Sequence, residues 1–191
     1  MTTYTKTWRN YLWLAWFVIQ LPIIILIDGY DHLFPKSFSQ PGGPLHPLAV
    51  ARQDYIATFN DPIVQWSPDT PRGHDSWMGL FLYIEFAATL PTVLYAVYRL
   101  GLSKRNKGTS GADELVFLVY GFETALTTLV CFHDVFYWDD KVYSPELKNT
   151  FKYSFFAPWI VMPTLLFVDM ASRILARIRV ADAMLAGKKM Q

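Results

Sequence analysis

Between Trp77 and Leu100 the chain runs for more than twenty mostly apolar residues that contain one carboxylate, Glu85. A run of that length crosses the hydrocarbon of a bilayer as a helix. Water is absent there, so only a structure that satisfies its own backbone hydrogen bonds survives. An acid inside such a run costs several kcal/mol unless protein or water faces it. Glu85 has no basic residue three or four positions away, so it is the first functional suspect.

Three further apolar runs follow the same logic. Tyr11 to Asp28 contains Pro22 and stops at Gly29; Leu115 to about Trp138 holds Glu123, His133 and Asp134; Phe155 to about Ile178 holds Pro158, Pro163 and Asp169. Hydrophobic residues make up 52% of the chain and charged ones 17%. Because the apolar residues are gathered into runs rather than set at amphipathic spacing, they place the chain in a membrane. The expected fold is an all-α membrane protein, a four-transmembrane-helix bundle with a luminal loop cap. Its parts are an N-terminus over 1–10, a membrane domain over 11–178 with spans near 11–28, 77–100, 115–138 and 155–178, and a tail over 179–191. The proline-rich segment Tyr30 to Ser76 supplies the cap, with a short helix near Pro47 to Phe59.

A net charge of +1 and scattered basic residues give no nucleic-acid face. Cys131 stands alone, which excludes an intrachain disulfide and a Cys-rich metal site, and its apolar run favours a packed thiol. His32, His46, His74 and His133 are too dispersed to suggest a metal, and no phosphate loop or nucleophile elbow occurs. No metal and no cofactor are therefore expected. The polar start shows no cleavable signal. Lys6 and Arg9, then Arg99, Lys104, Arg105 and Lys107, then Arg173, Arg177 and Arg179 fall on one side of four spans. The positive-inside rule makes that side, with both termini, cytosolic. Lys188-Lys189-Met190-Gln191 matches a dilysine retrieval address, so the expected location is the endoplasmic reticulum membrane. A homodimer is left open.

A helix rises about 1.5 Å per residue, which puts Asp28 roughly 25 Å, Glu85 roughly 20 Å and Asp134 roughly 28 Å from the cytosolic end of its span. Glu123 and Asp169 fall roughly 12 Å and 13 Å from it. Asp28, Glu85 and Asp134 thus form a luminal-side layer. Two carboxylates brought together in low dielectric share a proton, and such a pair can hold an ammonium or donate that proton. Plainer readings stand beside this one. Asp169 lies four residues before Arg173 and reads as a salt bridge. His133 and Asp134 also fit the wet end of a helix, and Asp28 an interfacial position. Thr124, Thr127 and Thr128 are placed to bond Glu123. Tyr83, Tyr120 and Trp159 are candidates to line a ligand pocket, although aromatic residues also serve as packing and interface anchors.

The motifs Leu26-Ile27-Asp28, Asn60-Asp61-Pro62-Ile63-Val64-Gln65 and Phe81-Leu82-Tyr83-Ile84-Glu85, followed by Leu90-Pro91, occur in that order. With Thr127-Thr128 and Ala157-Pro158-Trp159, they make the chain resemble the EXPERA family from roughly Trp8 to Arg173, most closely its sigma-two receptor branch. The resemblance implies that Asp28 meets a ligand amine, Glu85 bonds Asp28, and Asp61 holds the luminal side of the pocket. The family also includes emopamil-binding sterol isomerase, whose acid aligns with Glu85 and whose third span His133-Asp134-Val135 resembles. Gln20 stands where that enzyme has a histidine, and Glu123 where the receptor has one. The expected partner is a lipophilic sterol, terpenoid or cationic amine, bound without chemistry through Asp28, Glu85 and Asp61. The rival expectation is an acid-catalysed isomerase or terpene cyclase with Glu85 or Glu123 as proton donor and Asp28 or Asp134 as partner.

Overall fold

The computed structural model describes residues 6–67, 76–103 and 108–188. Pro68 to Asp75, the loop residues Lys104, Arg105 and Lys107, and Lys189 of the dilysine pair lie outside the described residues. The protein is all-α: among the described residues there is no strand, and four helices are long and apolar enough to cross a membrane, Trp8–Asp28, Trp77–Leu102, Gly111–Tyr137 and Pro145–Gly187.

Proline shapes three of these spans. Pro22 has no N–H to give the residue four before it, and directly after it the first span changes to a π-helical turn, Ile23–Asp28. Gly29 closes that turn by donating to the Ile24 carbonyl at 2.7 Å. In the second span the π-helical segment Glu85–Thr89 lies just before Pro91, and another, Tyr98–Leu102, ends the helix. Thr150–Phe156 precedes Pro158 in the fourth span. Three of these π-helical segments thus lie next to a proline, a residue that removes a helical donor and locally disturbs the helix.

The third span starts at a capping box. Ser110 Oγ accepts the Asp113 N–H, and the Asp113 carboxylate accepts the Ser110 N–H at 2.7 Å. The fourth helix is longer than the apolar run 155–178. Ser144 caps it at one end with Pro145 in the first turn, and Ala, Leu and Met continue it to Gly187. These residues favour helix whether or not they are apolar enough to count as membrane. The short helix of the long loop is His46–Phe59.

The chain divides into two compact units, Ala15–Leu94 and the described part of Met1–Leu14 with Tyr95–Gln191. In the second of these the third and fourth spans lie side by side, so close at Gly121 that a Cβ there would sit 2.8 Å from the Pro163 carbonyl oxygen and 3.0 Å from the Phe167 nitrogen. Phe117, Val135, Phe151, Leu166 and Met170 fill the interior. Val119, Leu126, Leu165 and Val168 face outward, which suits helices whose solvent is lipid.

A polar network closes one end of this unit. Buried Glu114 accepts from Arg177 Nε at 2.6 Å and Nη2 at 2.9 Å, and from Thr109 Oγ1 at 2.8 Å. Asp169 accepts from Arg173 Nη2 at 2.7 Å, the salt bridge expected from their spacing, and also pairs with Arg9 and takes the Trp13 indole N–H at 2.6 Å.

Candidate functional site

Both acids singled out for the pocket lie in π-helical turns. Asp28 is the last residue of Ile23–Asp28 and Glu85 the first of Glu85–Thr89; both are partly buried, and both belong to the Ala15–Leu94 unit. Single π turns are rare and recur at functional sites, because the extra residue re-aims a side chain.

Asp61 is in the same unit. Asn60 ends the helix His46–Phe59 in the left-handed conformation, φ 50°, and donates to the Ile56 carbonyl at 2.8 Å. Asn tolerates that conformation where most residues do not, and Pro62 prevents the helix from resuming. The Asp61 carboxylate then caps its own turn, its Oδ1 accepting the Ile63 N–H at 2.8 Å and the Val64 N–H at 3.3 Å. Its Oδ2 accepts the Tyr55 hydroxyl at 2.7 Å. The side chain is only 4% exposed. Burial pushes its pKa above the ordinary carboxylate value, against the opposing pull of Tyr55, the two backbone donors and Arg52. Burial, and then the adjacent Asp61 charge, push the Tyr55 hydroxyl upward too, so that it remains a donor.

Arg52 ties this turn to the end of the first span. Its Nη1 donates to the Ile27 carbonyl at 3.1 Å and its Nη2 to the Val64 carbonyl at 2.6 Å, while the guanidinium lies 5.6 Å from the centre of the Tyr30 ring. Ile27 is one of the last residues of its helix, where carbonyls lack an intrahelical donor. Arg52 thus joins the helix end that carries Asp28, through the neighbouring Ile27 carbonyl, to the turn that Asp61 caps, through the Val64 carbonyl. Sequence reading missed Arg52 and Tyr55; their i, i+3 spacing on the helix that runs into Asp61 was the available signal.

The other candidates are placed differently. Glu123 and Asp134 belong to the other unit. Glu123 Oε2 accepts from Thr124 Oγ1 at 3.3 Å, whereas Thr127 and Thr128 bond backbone carbonyls. Asp134 accepts the Trp138 indole N–H at 2.7 Å, and its neighbour His133 is exposed, 5.2 Å from the Tyr137 ring. Tyr83 is 73% exposed and turned outward, Tyr120 is 3% exposed and part of the packed interior, and Trp159 is partly buried.

Residues 47–170 match the family model described as EXPERA (EXPanded EBP superfamily). The match covers nearly two thirds of the chain and includes Arg52, Tyr55, Asp61, Glu85, Glu123 and Asp134; Asp28 precedes it. A relative in Saccharomyces cerevisiae, efficient mitochondria targeting-associated protein 19, is 26% identical over 130 residues, 66% of this chain and 70% of that protein.

Proposed function

The chain belongs to the EXPERA family, and from that premise we propose that it binds a lipophilic sterol-like or terpenoid molecule in an intramembrane acidic pocket formed by Asp28, Glu85 and Asp61. The observation that carries this reading is that Asp28 and Glu85 both stand on π-helical turns, with buried Asp61 held close to the first of them. An amine or hydroxyl on an otherwise apolar ligand would meet these carboxylates, and the two spans would supply the apolar wall. The sigma-two receptor branch offers the nearest pattern of site residues. Location in the endoplasmic reticulum membrane, with cytosolic termini, belongs to the same proposal; the dilysine pattern Lys188-Lys189 supports the compartment, and Lys6, Arg9, Arg173 and Arg177 support the orientation.

The test is direct binding of a lipophilic tertiary amine to the full chain in nanodiscs. Asp28→Asn removes an ion pair with no substitute, so affinity should fall by at least tenfold; unchanged binding refutes the reading. A second reading, an isomerase or terpene cyclase, rests on Glu123 as an acid within the apolar third span and within the matched region. Microsomes containing the protein would then convert a sterol intermediate or an epoxidised prenyl compound. Glu85→Gln or Glu123→Gln would abolish conversion and leave ligand binding measurable.

A further inference from the structure

The guanidinium of Arg52 is used in three ways at once. One arm satisfies the Ile27 carbonyl beside Asp28, the other the Val64 carbonyl in the turn that Asp61 caps, and its face lies against Tyr30. Lysine could not do this, because a single ammonium has no planar fork. The consequence for charge is as important as that for geometry. Asp28 and Asp61 bring two carboxylates to one end of the unit, and the guanidinium that joins their turns cancels one charge permanently, since arginine does not deprotonate in proteins.

We propose that Arg52 is the resident cation of the acidic pocket: it clamps together the two turns that carry Asp28 and Asp61 and sets how much positive charge a ligand can bring there. The proposal rests on the reading of this region as a ligand pocket. Arg52 is a positioning and charge-setting residue rather than a ligand contact. With it in place a ligand competes for the remaining negative charge and gains only modestly from being cationic. Without it the same carboxylates prefer a cation strongly.

The test compares two probes on the full-length protein in nanodiscs, tritiated 4-phenylbutyl-N,N-dimethylamine and the neutral isostere with carbon in place of nitrogen. The readout is the ratio of their affinities, which a merely structural role would leave alone. Arg52→Gln should raise the preference for the amine about tenfold, the scale of one partly screened charge at several ångströms. Arg52→Lys keeps the charge and loses the fork, so both affinities should fall together with the ratio within about twofold of wild type. At a pH above the raised titration of Asp61, the double variant Arg52→Gln/Asp61→Asn removes one charge of each sign and should return the ratio to its wild-type value, and it leaves no extra buried acid to impair folding. An unchanged ratio in Arg52→Gln overturns the proposal, as does a rise in Arg52→Lys equal to that in Arg52→Gln. Should Arg52→Gln not fold, a double variant whose ratio departs from wild type overturns it. Asp28→Asn separates the layers: if it leaves amine binding intact, the pocket reading fails, whereas if it abolishes the preference and Arg52→Gln leaves the ratio unmoved, only the role of Arg52 fails.

Discussion

Arg177→Met should be among the more destabilising substitutions in the chain. The Glu114 side chain is 2% exposed and that of Arg177 30%, so the pair is closed on the acid's side and open on the base's. Removing Arg177 takes away both arms of a bidentate bond, 2.6 and 2.9 Å, and leaves the buried carboxylate with Thr109 Oγ1 and the field of Arg173. Breaking a buried pair from one side costs about 3–5 kcal/mol, and the remaining partners argue for the low end. Glu114→Gln is gentler, about 1–2 kcal/mol, because Arg177 can rehydrate and keeps its bond to the Thr109 carbonyl at 2.8 Å. Replacing both, Arg177→Met with Glu114→Met, removes the desolvated charge with its partner and should return to within about 1 kcal/mol of wild type. At about 2–4 °C per kcal/mol for a chain of this size, Arg177→Met lowers the Tm by roughly 6–12 °C. Thermal unfolding in detergent, followed by intrinsic tryptophan fluorescence, reads the double-mutant cycle directly. Equal losses in the two single variants, or a double variant as unstable as Arg177→Met, would refute the asymmetry on which this reasoning depends.

Other outcomes follow from single contacts. Gly121→Ala puts a methyl 2.8 Å from the Pro163 carbonyl, against backbone that cannot swing away, so it should cost about 1–3 kcal/mol; a Tm equal to wild type would mean the two helices are not so close. Trp13→Phe deletes the indole donor to buried Asp169 and should cost about 1.5–3 kcal/mol, measured as above, with Asp169→Asn/Trp13→Phe no worse than Asp169→Asn alone. For Asp61 the folded-state pKa is raised, so the folded state holds a proton that the unfolded chain, near pH 3.9, has released. Its contribution to stability is therefore full below about pH 4 and is lost as pH rises through the folded value. Asp61→Asn should flatten the fall in Tm that begins above about pH 4, and an identical slope in the variant would count against the shift.

The sequence made the spans legible because apolar length alone decides whether a helix can cross a bilayer. Their ends were less so. Ser144 and Pro145 start the fourth helix in polar residues, where hydropathy is blind but capping chemistry is not. Asp28 and Glu85 were visible as acids at or within apolar spans, whereas Asp61, an acid in a polar loop, stood out only through the motif Asn60-Asp61-Pro62 that carries the family resemblance. Arg52 was not visible, because a partly buried arginine on a loop helix reads as an ordinary solvated charge until its two carbonyl partners, far away in sequence, come into contact with it. Glu114 was likewise hidden: it read as the last residue of a loop, and its burial follows from a capping box one turn earlier that turns it toward Arg177.

A π-helical turn is, in chain terms, one surplus residue. Its hydrogen bonds reach five residues back instead of four, and in a helix of 3.6 residues per turn one surplus residue rotates everything beyond it by about 100°. The second span contains such a turn at Glu85–Thr89, so Leu90–Val97 faces a direction a quarter-circle and more away from the one that counting from Ser76–Ile84 would assign. A scan of substitutions along this helix would show its sensitive positions changing phase at Glu85. Deleting one residue between Phe86 and Ala88 would remove the surplus and leave the span still long enough to cross the bilayer. That deletion would swing Glu85 relative to the rest of its helix without altering a single functional side chain, which makes the direction of this acid a matter of counting rather than of chemistry.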